Sequence, residues 1–200
     1  VVNHIYMHNQ KAYLSMKFGV IMLDMHKCEI QDTYYLGDEG AEVEVLSTAI
    51  LGDSIYAVSS RILYAASLHA NLMDYSSWSH KPLPSGAEIN GFYDYDDKLY
   101  MLRDTILWMR DTAGWQVCPT PFAIGGIQKT GDELYVFPTS GAGAAKVGSD
   151  YTLQFQELGV IYDIEKDQED YWLCTASKGL YYTRNQQPFF PHGPVDNTAY

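Results

Sequence analysis

Basic residues are scarce in this chain. Lysine and arginine number 13 against 25 aspartates and glutamates, a formal net charge of −12 over 200 residues. With no cationic surplus to neutralise phosphates, nucleic acid is excluded as a general partner. Long hydrophobic runs are missing as well. No stretch approaches the roughly 18 apolar residues of a membrane-spanning helix, so no membrane insertion is expected of this segment. Cysteine is limited to Cys28, Cys118 and Cys174, an odd number with no C-x-x-C pair. That argues against a disulfide framework and for buried free thiols. Asn-x-Ser/Thr sites are absent, and 16 glycines with 8 prolines are too few for a collagen-like or low-complexity chain. The chain opens Val1-Val2-Asn3, with neither an initiator Met nor a signal peptide, and reads as an excerpt of a longer protein. Helical periodicity is also hard to find.

Tyrosine is abundant, with 17 residues, and 4 tryptophans accompany it within a hydrophobic share of 46%. Such a chain can fold, and its aromatic enrichment favours strands. The clearest landmark is a short strand centred on an aromatic: Tyr13, Tyr56, Tyr100, Tyr135 and Trp172, spaced 43, 44, 35 and 37 residues apart. A period of about 40 with short strands and polar turns marks a β-propeller, one four-stranded blade per repeat. Each repeat lays out as an apolar strand, a tight turn rich in Gly, Asn and Asp, the aromatic strand, a third apolar strand and a weaker outer strand. Segments such as Val20-Ile21-Met22-Leu23 and Ile106-Leu107-Trp108-Met109 are apolar on both faces, as strands packed between neighbouring blades should be. The five rings are therefore expected in blade-to-blade packing. The expected fold is all-β, with five four-stranded blades at about 1–40, 41–82, 83–119, 120–157 and 158–200. Five blades make either a closed ring or part of a larger one. The closing segment 190–200 reads as a loop leading into a sixth repeat, which favours the larger ring.

The fifth repeat, Ile161 to Tyr182, resembles the blade of two-component-regulator propellers, I-x-x-D-x-x-G-x-(L/I)-W-(I/V)-G-T-x-x-G-L. Asp167, Trp172, Thr175, Gly179 and Leu180 match, Cys174 replaces the small Gly, and the hairpin Gly is missing. Over nearly the whole chain the resemblance is to the first propeller of PorZ-type proteins of the type IX secretion system. It is carried by Asn3 to Gly40, with its Tyr34-Tyr35-x-Gly37-x-x-Gly40 segment, by Asn71-Leu-Met-Asp-Tyr-Ser-Ser-Trp78, and by His192-Gly-Pro-Val-Asp-Asn-Thr-Ala-Tyr200. The resemblance implies a seven-bladed ring, of which this chain is an excerpt. It further implies a place on the outer surface of Bacteroidota cells, a sortase and other surface secretion-complex proteins as partners, and presentation of anionic lipopolysaccharide. The family brings no catalytic motif to carry over.

No G-x-S-x-G, H-E-x-x-H, C-x-x-C or P-loop is present, so no catalytic residue, metal ligand or cofactor is expected. Gly141-Ala-Gly143-Ala-Ala-Lys146 lacks the third Gly of a dinucleotide loop and reads as a hairpin. Asp94-Tyr-Asp96-Asp97 lacks the Gly and Glu of a calcium loop and reads as a solvated turn. Charge, in contrast, is patterned. First-to-second-strand turns are acidic (Asp53, Asp94, Asp96, Asp97, Asp132, Glu133, Glu165, Asp167, Glu169, Asp170). Second-to-third-strand turns carry Lys17, Arg61, Arg103 and Lys178. In a blade the two turn sets emerge at opposite ends, so the four cations are the candidate ligand-binding residues for phosphate or carboxylate of an anionic polysaccharide. Tyr34, Tyr35, Trp78, Trp115, Phe189 and Phe190 lie on outer strands or loops, where they would pack at the rim or stack on a sugar or protein partner. An alternative function is the periplasmic carbohydrate sensor of a hybrid two-component system. A propeller enzyme would need converging carboxylates, histidines or a metal that the sequence does not display.

Overall fold

The computed structural model describes residues 1–184 and the backbone of 187–189. The segment 190–200 lies outside the described residues, as do Phe190 and the side chain of Phe189. The chain divides into two compact units, Val1–Cys118 and Pro119–Tyr200.

The first unit holds three antiparallel sheets in succession. The first comprises β1 (Val2–His8), β2 (Lys11–Met16), β3 (Gly19–Asp24) and β4 (Glu29–Tyr34). The second comprises β5 (Ser47–Leu51), β6 (Ser54–Val58), β7 (Ile62–Ser67) and β8 (Ser79–Pro82). The third comprises β9 (Ile89–Tyr95), β10 (Lys98–Arg103), β11 (Ile106–Asp111) and β12 (Gly114–Val117). The innermost strands β1, β5 and β9 lie side by side. The second unit holds two sheets: β13 (Ile124–Thr130), β14 (Glu133–Pro138) and β15 (Ala145–Lys146), then β16 (Ile161–Asp167), β17 (Asp170–Thr175), β18 (Gly179–Arg184) and β19 (Gln187–Phe189). These are the meandering sheets of a β-propeller, and the fold class is all-β as the repeat predicts. In the fourth sheet the outer strand expected over 152–157 is reduced to a single bridge, Ala144 to Gln154. Left-handed backbone at Tyr151 and Phe155 and a 3₁₀ turn at Gln156–Leu158 break the pleat there.

Turn chemistry explains the hairpins. The two-residue links Asn9-Gln10 and Asp96-Asp97 take positive φ at both positions, and Gly52, Gly131 and Gln168 do so once in theirs. Such mirror-image turns match the strand twist, which is why Asn, Asp and Gly collect in them.

Packing follows strand alternation. The third residue of the aromatic strand points toward the next sheet in the first, second and fourth sheets (Tyr13, Tyr56, Tyr135), and the second residue toward the previous one in the second, third and fifth (Ile55, Leu99, Tyr171). Tyr13, Val20, Met22 and Tyr34 thus pack on Ile50, Ile55 and Ala57 of the second sheet. The other face of that sheet presents Ala49, Val58 and Leu63 to Phe92, Leu99 and Met101 of the third. In the second unit Tyr135 and Phe137 meet Ile161, Ile164, Tyr171 and Leu173. Each of the larger aliphatic and phenylalanine side chains contributes about 1.5–3 kcal/mol by leaving water. The fifth ring departs from the expectation. Trp172 is 36% exposed while Tyr135 is 1% exposed, because Trp172 looks away from the fourth sheet and packs at a tilt against Tyr182 of its own, centroids 4.7 Å apart. Tyr171, one residue earlier, fills the inter-sheet space instead. The cysteines are free as expected but not buried. Cys28 and Cys174 are exposed and Cys118 is half-buried, since Cys28 sits at a hairpin tip and Cys174 shares the outward face of Trp172.

Candidate functional site

The four cations read from the sequence meet different fates. Lys17 and Arg61 stand exposed at the β2–β3 and β6–β7 turns. Arg103 is only 4% exposed. Its Nη2 donates to the Ser60 carbonyl at 3.0 Å and to the Gly86 carbonyl, tying the β6–β7 turn to the loop before β9. Nε and Nη1 have no partner among the described residues. Arg103 is therefore an internal strap and offers no guanidinium to a surface ligand, because the loop carrying Gly86 folds over it. In the second unit Lys178 is exposed and its Nζ donates to the Glu157 carbonyl at 2.9 Å.

The acidic turns are also modified by packing. Asp94 accepts a hydrogen bond from the Tyr6 hydroxyl at 2.8 Å. Glu133 is buried beneath its turn. Its Oε1 accepts from Lys146 Nζ at 2.7 Å and lies 3.4 Å from Lys166 Nζ; its Oε2 accepts from the Tyr171 hydroxyl at 2.6 Å. The Tyr135 hydroxyl lies 3.1 Å from the same oxygen, and Lys166 also reaches Asp132 at 2.8 Å. Burial alone would raise the carboxyl's pKa, but the Lys146 and Tyr171 hydrogen bonds outweigh it and hold Glu133 below its ordinary value.

A cavity of about 340 Å³ opens between the first and second sheets, at the end of the strands opposite to Lys17 and Arg61. Register builds its floor. Tyr13 pairs with Met22 and Met22 with Asp32, so the three lie in one rung across β2, β3 and β4, and Tyr34 follows on the same face. The wall is the β7–β8 connection, Leu68 to Met73, and the β1–β2 hairpin supplies His8, Asn9 and Lys11. Trp78 fixes the wall: its Nε1 donates to the Leu72 carbonyl at 3.0 Å and its ring packs against Tyr34. Tyr13 and Tyr34 are 4% and 3% exposed. Their hydroxyls have no hydrogen-bond partner among the described residues, yet neither is sealed from solvent. Burial first, and then the nearby Asp32 charge, push both phenol pKa values up, so both remain donors at neutral pH.

Sequence reasoning singled out Tyr34 and Trp78 as possible contact aromatics but missed His8, Asn9, Gln31, Asp32 and Asn71. The Tyr34-Tyr35 and Asn71–Trp78 segments, which carry much of the family resemblance, both border this cavity. Among the described residues no three His, Cys, Asp or Glu side chains converge to hold a metal. No helix there is long and apolar enough to cross a membrane.

Residues 1–79 match the family model described as the N-terminal beta-propeller domain of PorZ of the type IX secretion system. Over those residues the chain is similar to the PorZ propeller. Among solved structures it is similar to PorZ itself, described as an essential bacterial surface component of the type-IX secretion system of Porphyromonas gingivalis. Identity is 15%, 98% of this chain and 26% of that chain are covered, and the TM-score is 0.65. It is also similar to the extracellular domain of a putative hybrid two-component system of B. thetaiotaomicron, at 14% identity, 90% and 27% coverage and a TM-score of 0.62. At such identities the likeness to PorZ and to the sensor domain is one of fold, and the chain spans about a quarter of either structure. No curated protein matches it in sequence.

Proposed function

We propose that this chain is a non-catalytic binding and scaffolding module of a cell-surface type IX secretion and sortase attachment complex in a member of the Bacteroidota. The match of residues 1–79 to the PorZ propeller family carries this reading. Rigid sheets holding short turns suit a docking surface, and exposed Lys17 and Arg61 suit the phosphate or carboxylate groups of an anionic lipopolysaccharide. A sortase and other surface components of the complex are the protein partners. Reversing both charges, Lys17→Glu with Arg61→Glu, is expected to weaken capture of anionic lipopolysaccharide several-fold at low salt. Unchanged affinity would remove these residues from the reading, and failure of the full-length protein to co-purify with a sortase would remove the scaffold.

A second reading is favoured by the similarity to a sensor's extracellular domain: a periplasmic propeller that senses carbohydrate for a hybrid two-component system. A histidine kinase and a membrane span in the same polypeptide would establish it in place of the first.

A further inference from the structure

We propose that the cavity between the first and second sheets binds a neutral pyranose ring. This site is separate from the anion-binding surface proposed for Lys17 and Arg61, because it opens at the opposite end of the strands, and its existence does not depend on the secretion-system reading.

The chemistry of the lining selects the ligand class. An anion entering the cavity would meet one lysine, Lys11, and would face the Asp32 carboxylate. A cation would meet the reverse. A wholly apolar molecule would strip water from two phenols, a carboxylate and the amides of Asn9, Gln31 and Asn71 without replacing their hydrogen bonds, a net loss. A pyranose has what these groups lack. Its hydroxyls both donate and accept, so they can receive the unpaired Tyr13 and Tyr34 protons and donate to Asp32 and the amide oxygens. Its C–H face is apolar and matches the side chains of Met22, Leu72 and Met73, of which Met73 stands 61% exposed at the rim.

Size and rigidity agree with this. A volume of about 340 Å³ lies at the small end of ligand cavities, which run from about 300 to 1,000 Å³, and suits a single ring better than a long oligomer. The wall is held in place by its own bonds. Ala70 N–H donates to the Ser67 carbonyl at 3.0 Å, Met73 N–H to Asn71 Oδ1 at 3.3 Å, and Trp78 Nε1 to the Leu72 carbonyl at 3.0 Å. A loop already ordered adds little entropic cost to binding.

The test is saturation-transfer NMR on the full-length protein with methyl glycosides of glucose, galactose, mannose and N-acetylglucosamine, beside glucuronate and glucose 6-phosphate. At least one neutral glycoside is expected to receive saturation at its ring protons, with a Kd of order millimolar. The Tyr13→Phe, Tyr34→Phe double variant keeps both rings and the cavity volume and is expected to weaken that binding about tenfold, two hydrogen bonds having been lost. Asp32→Asn, checked by circular dichroism, should weaken it independently, while Thr112→Ala on the β11–β12 hairpin should not. An oligosaccharide ending in the same sugar that binds as well as the methyl glycoside would support the site with a glycan chain end as its source; weaker binding of the oligosaccharide would support it with the free sugar as source. Saturation of no neutral glycoside, binding of the anionic sugars alone, or unchanged binding in the double tyrosine variant would each overturn the proposal.

Discussion

Two lysines and two tyrosines converge on the Glu133 carboxylate, and at this scale hydrogen bonding decides against burial. Glu133 is held below its ordinary pKa, so its contribution to stability is fully present above the unfolded glutamate value of about 4.3. That contribution is lost as the pH falls through the lower folded value. The second unit should accordingly melt at lower temperature in acid, and Glu133→Gln should remove much of that dependence while costing about 2 kcal/mol at neutral pH, with Lys146 and Lys166 left without their shared anion. Thermal melts of both proteins across the acid range would check this; identical pH profiles would assign the dependence to other carboxylates. Arg103 illustrates the same lesson with opposite sign. A lone cation at a turn position reads as surface, yet a buried guanidinium can be consumed by backbone carbonyls contributed from elsewhere in the chain.

At the scale of the element, the aromatic strand is the unit that repeats, but its rings are not equivalent. Tyr135 is enclosed between the fourth and fifth sheets, whereas Trp172 occupies the same strand position on a face with no sheet against it among the described residues. Tyr135→Ala should therefore cost about 3–5 kcal/mol, in the range of buried aromatic truncations, and Trp172→Ala less than about 1 kcal/mol. Chemical denaturation of the two variants would distinguish them, and equal losses would mean that Trp172 is covered in solution. Strand order and the hairpin turns were legible in the sequence, as was the recurring aromatic of the second strand though not the exposure of Trp172, because alternation and turn residues are local signals. The weakened outer strand of the fourth sheet was not. Residues 152–157 look like a polar outer strand, and their departure from it depends on left-handed backbone at Tyr151 and Phe155 that no residue type there announces.

At the scale of the whole molecule, the face of the first sheet turned away from the second bears exposed apolar side chains. Register places Met7 beside Ala12, Ile5 beside Leu14, and Leu23 beside Ile30, with Ile5, Met7 and Ile30 exposed by 56, 55 and 63%. Patches of this kind recruit apolar dyes and partners. Binding of an environment-sensitive dye such as ANS should fall several-fold in the Ile5→Thr, Ile30→Thr variant, with the fold intact by circular dichroism; unaltered fluorescence would place the dye elsewhere. What the sequence determined by itself is the repeated meander of strand, mirror-image turn and ring, and with it the all-β class, because each depends on residues a few positions apart. What only the tertiary structure decided is which of those side chains remain available. Tyr34 opening into a cavity and Arg103 closed beneath a loop both depend on neighbours distant in the chain, and those contacts exist only once the sheets have packed.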